Sequence, residues 1–340
     1  MKHYVILANP GHNRIYHDAA MNISVQEIEA LSISQDMGLH YIKKVDAGLP
    51  AGLAFSTEKE LSQDELKTLG ASSIFYALFE KVQDDLLKPV PVPDFRTFPE
   101  SMVQILKYNG KTNEQFTRLI VNLAVSTCAT NTETKTLLDP VAGKGTTLFE
   151  GLIRGMNVIG VELHEKWAHE AQIFLERFMK EGMYKHKADK GTRHDEKGRK
   201  VAGLFSLTAA ANKEDYKAGN TRSCLMINAD TRLADHFIKH HSCDVIVGDL
   251  PYGVQHGSKT SRRSRSPLEM LEEALPAWSA VLKSKGSMVL AFNEHTLQYH
   301  DISHLLKENG LSVLNEAPYF GFSHRVDQSI KRNVIVAIKN

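Results

Sequence analysis

The chain has 340 residues, 42% hydrophobic, 24% charged and 8% aromatic, the profile of a globular protein and not of a disordered, collagenous or repeat sequence. With 41 Lys and Arg against 40 Asp and Glu the net charge is +1, so a polyanionic partner has to be met by a local basic patch. No apolar run approaches the roughly 18 residues of a membrane helix, and Met1-Lys2-His3 leads straight into a strand-like segment, which together predict a cytoplasmic protein of about two domains with no membrane partner.

Residues 4–8 are apolar and β-prone, Ser24 is placed to cap a helix running to about Leu31, and residues 39–45 and 52–56 read as strands. Ser62-Gln63-Asp64-Glu65 has the S-x-x-E spacing of a capping box, opening a helix that stops at Gly70. A strand over 73–79 completes the order βαββαβ, a ferredoxin-like α+β plan for residues 1–87. Pro89, Pro91, Pro93 and Pro99 mark residues 88–106 as a linker, because proline lacks a donor and forces its predecessor out of the helical region.

A helix over about 114–124, with Phe116, Leu119, Ile120 and Leu123 at helical spacing, leads into the region 107–340. There, near-continuous apolar strands at 137–141, 158–163, 225–228, 244–247 and 288–292 alternate with helices from about 146, 166–180 and 301–307. This alternation implies a parallel sheet buried on both faces. Two closely spaced strands, 311–314 and 333–338, then form an antiparallel hairpin. The expected fold is therefore α/β: a Rossmann-like, seven-stranded methyltransferase-type sheet behind a small ferredoxin-like domain. Residues 184–220 form a long basic insertion that reads either as a surface excursion or as an arm touching nucleic acid.

Two stretches carry chemistry. Asp139-Pro140-Val141-Ala142-Gly143-Lys144-Gly145-Thr146-Thr147 is a strand ending in a glycine turn that opens a helix, which bares backbone N–H groups to a ligand. Glu162 closes the next strand, where an acid accepts the hydroxyls of a ribose, so the pair points to a nucleoside cofactor. Asp249-Leu250-Pro251-Tyr252 follows the apolar strand 244–247, at the carboxyl end where open α/β sheets bind ligands. An exocyclic base amine is a weak nucleophile, and acceptors on its hydrogens turn its lone pair outward; Asp249 and the Leu250 carbonyl are such acceptors. Pro251 fixes the turn, and Tyr252 offers a stacking face.

Cys128, Cys224 and Cys243 form no C-x-x-C pair, and the sixteen His fall in no metal-ligand pattern, so reduced thiols and no metal are expected. The basic run His256 to Arg265, with Lys259, Arg262 and Arg263, stands beside the place where a base must enter; it reads as a phosphate contact or as a solvated loop.

The loop Asp-Pro-x-x-Gly-x-Gly-Thr-Thr followed by Gly-x-Glu resembles motifs I and II of class I S-adenosylmethionine-dependent methyltransferases. The resemblance implies that Asp139, Gly143 and Gly145 handle the methionine part, with Pro140, Ala142, Thr146 and Thr147 around them. Glu162 and Leu163 would take the ribose side. Asp-Leu-Pro-Tyr resembles the family's motif IV for planar nitrogen, with Leu250 departing from the commoner proline. Asp230 stands where the family holds adenine, and equally where an Asp caps a turn; Asn228 is the substitute. Lys107-Tyr108-Asn109-Gly110-Lys111-Thr112-Asn113, His324-Arg325 and Ser329-x-x-Arg332-Asn333 are similar to segments of the THUMP-associated tRNA guanosine N2-methyltransferases. That resemblance places Thr112 at the cofactor pocket and Arg332 with the substrate, and implies an RNA partner, a tRNA first. About ninety upstream residues leave no room for a full THUMP module. Adenine N6 methylation of DNA or RNA, and a catalytically silent nucleic-acid-binding protein, are the alternatives.

Overall fold

A computed structural model of the protein describes residues 1–10, 14–45, 51–83, 86–104, 111–252 and 266–340, the side chains of 14–18 excepted. The first part comprises β1 (Lys2–Ala8), α1 (Arg14–Ser34), β2 (His40–Val45), β3 (Gly52–Thr57), α2 (Gln63–Gly70), β4 (Phe75–Gln83) and β5 (Leu86–Val90). Its antiparallel sheet runs β2-β3-β1-β4-β5. The first four strands have the ferredoxin-like order, and β5 adds an edge. The Ser62 capping box is present in both directions, Ser62 N donating to Glu65 Oε2 at 2.7 Å and Glu65 N to Ser62 Oγ at 3.3 Å. Ser24 does not cap α1; it is buried inside a helix that begins ten residues earlier, held there by the buried run Ala20, Met21, Ile23, Ile28 and Leu31.

Within the Pro-rich stretch, Pro89 sits in β5 opposite Phe79, an edge position that tolerates a missing donor. Phe98 is buried just before α3 (Ser101–Gln104), whose Met102 and Val103 are buried too.

The second part continues with α4 (Glu114–Thr127), β6 (Thr136–Asp139), α5 (Thr146–Ile153), β7 (Asn157–Val161) and α6 (Glu165–Glu181). β8 (His186–His194), β9 (Lys200–Ala209), α7 (Lys213–Ala218) and β10 (Arg222–Asn228) follow. After a 3-10 turn at Thr231–Leu233 come α8 (Ala234–Phe237), β11 (Cys243–Asp249), α9 (Pro267–Val281), β12 (Leu282–Asn293), α10 (Tyr299–Glu308), β13 (Leu311–Leu314), β14 (His324–Arg325) and β15 (Lys331–Lys339).

The sheet order is β13-β15-β12-β11-β6-β7-β10-β9-β8, with β14 on β15. The pairs β12–β11, β11–β6, β6–β7 and β7–β10 are parallel, and β15 enters antiparallel between β12 and β13, so the chain has a Rossmann-like methyltransferase fold. All seven expected strands are there. The count rises to ten because part of the 184–220 insertion is an antiparallel hairpin, β8–β9, laid along β10, and because the short β14 pairs with β15.

Alternation along the central strands builds two cores. Leu137, Val245 and Val247 face α4, α5 and α6, whereas Leu138 and Ile246 face α8, α9 and α10. The first core is continuous with that of the N-terminal sheet, Tyr4, Ile6, Leu53 and Phe55 joining Phe116, Leu119 and Leu123. A buried polar chain crosses the same boundary: Glu27 accepts from Ser73 N at 2.8 Å and Asn122 Nδ2 at 2.5 Å, and Arg154 Nη2 donates to Asn122 Oδ1 and, at 3.1 Å, to Ala71 O.

Candidate active site

β6 ends at Asp139 and the chain turns into α5. Gly145 N donates to Ala142 O at 2.8 Å to close the turn, and Ala142 N donates to Val161 O at 2.9 Å, clamping it to β7. Gly143 and Gly145 have φ of +53° and +88°, a region L side chains enter at about 1–2 kcal/mol. A Cβ at Gly145 would stand 3.1 Å from Phe149 Cζ, whereas at Gly143 it would meet open space. The first glycine leaves bare backbone, and the second lets α5 pack.

Glu162, just past β7, is 8% exposed and accepts from Gly143 N at 2.8 Å and His164 N at 2.7 Å. Asp139 is 3% exposed, accepting from Val141 N at 3.0 Å and from Thr147. Burial pushes the Asp139 carboxyl up to about 7, with the charges of Asp249 and Glu162 adding to it against the pull of those donors. Burial also raises Glu162. Among the described residues neither carboxylate has an ion-pair partner. A cation beside them would replace the lost solvation and relieve the mutual repulsion. Leu163 beside them is 71% exposed, an apolar face at the ribose acid.

β11 lies next to β6, Val245 paired with Leu137. At Gly248 a Cβ would lie 3.4 Å from Val141 Cγ2 and 3.6 Å from Pro140 Cδ, so the two strand-end turns share a wall. Asp249 Oδ2 accepts from Thr112 Oγ1 at 2.6 Å and Oδ1 from Tyr252 OH at 2.5 Å. Arg332 Nε donates to Tyr252 OH at 2.7 Å, and its Nη2 lies 3.7 Å from Asp249 Oδ2. The guanidinium, 5% exposed, sits 4.5 Å from the Phe116 ring centroid and 5.4 Å from that of Tyr252. Burial, reinforced by Asp249, raises the Tyr252 phenol, so it remains a donor at neutral pH. Leu250, 1% exposed, donates its N–H to Ala291 O at 2.9 Å on β12, while Pro251 is exposed.

The structure thus joins Thr112, Asp249, Tyr252 and Arg332 in one hydrogen-bonded cluster, at a strand end that neighbours those carrying Asp139 and Glu162. Thr112 reaches it because Asn113 caps α4, its Oδ1 accepting from Gln115 N at 2.9 Å and Phe116 N at 3.2 Å. Arg332 lies inside the site against Tyr252, not on a rim facing solvent. Asp230 caps the 3-10 turn, accepting from Arg232 N at 3.0 Å and from the Arg232 guanidinium. Asn228 spends its amide on the backbone carbonyls of Glu162 and Leu163, at 2.9 and 3.1 Å. Lys259, Arg262 and Arg263, with the rest of the basic run to Arg265, lie outside the described residues, as do 107–110. Phe116 was read only as a core residue; its place under Arg332 carries no sequence signal. Among the described residues no group of His, Cys, Asp and Glu is arranged to hold a metal. No described helix is long and apolar enough to cross a membrane. The three cysteines are free, and burial pushes Cys224 and Cys243 up to about 12.

Solved structures resemble the chain at low identity. An S-adenosylmethionine-dependent methyltransferase from Clostridium acetobutylicum aligns at 14% identity over 68% of this chain and 93% of its own, TM-score 0.40. A 16S rRNA N2-guanine methyltransferase of T. thermophilus, solved with AdoMet and guanosine, aligns at 14% over 88% and 58%, TM-score 0.38. An rRNA methylase from Streptococcus thermophilus aligns at 9% over 61% and 87%, TM-score 0.32. No curated protein matches at a significant level. The model of the RMKL-like methyltransferase domain family, UPF0020, matches residues 107–310, well over half of the chain, and the protein belongs to that methyltransferase family.

Proposed function

We propose that this chain transfers the methyl group of S-adenosylmethionine to an exocyclic amine of an RNA base, guanosine N2 of a tRNA first. The observation that carries the reading is the adjacency of two strand ends, with the buried acids Asp139 and Glu162 on one side and Asp249 held by Thr112 and Tyr252 on the other. When bound, the cofactor supplies an electrophilic methyl on a sulfonium centre. Asp139 and the bare backbone at Gly143 take its methionine end. Glu162, its carboxylate already fixed by two N–H groups, receives the ribose hydroxyls, and Leu163 covers the adjoining ring. The remaining lone pairs of Asp249 and the Leu250 carbonyl accept the hydrogens of the target amine and aim its lone pair at the methyl. The Asp249 carboxylate would also take the proton that the amine gives up on methylation. Support for an RNA base comes from the Lys-Thr-Asn segment, which resembles that of the tRNA guanosine N2-methyltransferases.

Incubating the protein with tRNA and labelled cofactor, then identifying the modified nucleoside by mass, tests this directly. N2-methylguanosine is expected. Methyladenosine would move the target to adenine N6, and cofactor binding without any methylated nucleoside would overturn the enzymatic reading.

A further inference from the structure

The β8–β9 hairpin and the first turn of α6 together form a surface that the chemistry above does not use. Between residues 185 and 200 seven Lys and Arg stand against three Asp and Glu. β9 is anchored by buried Ala202, Phe205 and Leu207, whereas β8 is solvent-facing along nearly all its length. Asn228, the last residue of β10, pairs with Gly203, so Lys200, Val201 and the turn closed by Gly198 run on past the strand ends, on the side of the sheet edge where Glu162 sits. That overhang is about 10 Å at the rise of a strand. Arg193 and Lys197 are exposed there and have no ion pair among the described residues. Lys200 Nζ lies 3.3 Å from Glu165 Oε1, tying the overhang to the start of α6.

There the chain exposes an aromatic pair. The Trp167 ring stacks on His164 at 4.8 Å between centroids and 14° between planes, and Trp167 remains 44% exposed. A large aromatic stacked on a histidine stands half in solvent, two residues from the Glu165 that holds Lys200. It matches what a single nucleic acid strand requires: a face for a base and charge for the phosphates on either side. Four strand spacings, β11 to β9, separate Asp249 from the hairpin, about 19 Å.

We infer that His164, Trp167 and the hairpin overhang bind a single-stranded segment of the RNA substrate a few nucleotides from the methylated base, with Trp167 stacking one base and Arg193 and Lys197 neutralising phosphates. This rests on the RNA reading above and assigns that RNA a second contact.

The chain has two tryptophans, and Trp278 is fully buried with its Nε1 on Thr231, so a ligand-induced change in emission reports on Trp167. The full chain is titrated with single-stranded oligouridylate, with the matching RNA duplex, and with S-adenosylmethionine alone. Quenching by the single strand is expected, with Trp167→Leu binding it roughly five- to a hundredfold more weakly. Trp167→Phe should restore part of that loss. Replacing Arg193 and Lys197 together by Ala should lower the slope of log affinity against log salt by up to about two. All variants should keep the wild-type melting temperature and the wild-type affinity for S-adenosylmethionine. Variants that bind the strand with unchanged affinity and salt slope would overturn the inference, as would a duplex bound as tightly as the single strand, or quenching complete with S-adenosylmethionine alone. Failure of the function reading looks different: wild type then yields no methylated nucleoside from tRNA and labelled cofactor, whatever the oligouridylate does.

Discussion

Asp139 is a carboxylic acid whose near-neutral titration follows from where it is held. Its folded-state value of about 7 lies above the ordinary carboxyl, near 3.9. Ionising it therefore removes folded-state stability as pH rises from about 4 towards 7, and a bound cation that favours the ionised form offsets that loss. Affinity for S-adenosylmethionine should accordingly climb as pH rises to about 7, by at most about tenfold per unit, and level off above it. Calorimetric titration at several pH values checks this, and Asp139→Asn should flatten the profile. On the opposite wall, Asp249→Ala should retain cofactor binding while transfer falls by on the order of a hundredfold or more, because the acceptor that orients the amine is gone. Methylation at a near wild-type rate would remove Asp249 from this role. Tyr252→Phe deletes the hydroxyl linking Asp249 to Arg332 and should slow transfer by about tenfold with little change in cofactor affinity, measured in single turnover. Asp139, Glu162 and Asp249 were legible in the sequence because each ends an apolar strand. The clamp on Asp249 was not: Thr112 and Arg332 lie 137 and 83 positions away, and nothing local in a sequence marks partners at such separations.

Elements that bury one face announce themselves, and elements that bury neither do not. α4 was readable from its apolar spacing and α2 from its capping box. β8, with the sequence HKADKGTRH, alternates nothing because both its faces meet solvent, so a hairpin that widens the sheet read as an irregular basic insertion. α9 carries the same box as α2, Ser266 and Glu269 with Pro267 at the first position, directly after a basic run whose composition signals a loop. The turn before α5 makes the sharpest demand on residue type. Gly145→Ala adds a Cβ at φ +88° and 3.1 Å from the Phe149 ring. It should cost about 1–3 kcal/mol of stability, seen as a lower denaturant midpoint at unchanged slope, and weaken cofactor binding with it.

Across the whole molecule, length suggested two units, and the succession of strands and helices along each was legible from alternation and turn chemistry, β5 and the β8–β9 hairpin excepted. Their union was not, since it rests on a shared apolar core and on Glu27, Ser73, Asn122 and Arg154 meeting from four distant stretches of chain. Burial raises the Glu27 carboxyl and lowers the Arg154 guanidinium, so each depends on its partners to stay satisfied. Removing one member of such a buried network typically costs about 3–5 kcal/mol. Glu27→Ala should therefore destabilise the chain by that order, and far-UV dichroism and tryptophan emission should report one shared unfolding transition, the two tryptophans lying on α6 and α9 beside the second sheet. Separate transitions would make the halves independent. The account stands or falls on the crevice between the turns after β6 and β11. A crystal structure with S-adenosylhomocysteine and guanosine measures it most directly. The sulfur should lie between Asp139 and Asp249, the ribose on Glu162 and the guanine amine on the Asp249 carboxylate; a ligand bound elsewhere, or a crevice closed by the protein's own side chains, would contradict it.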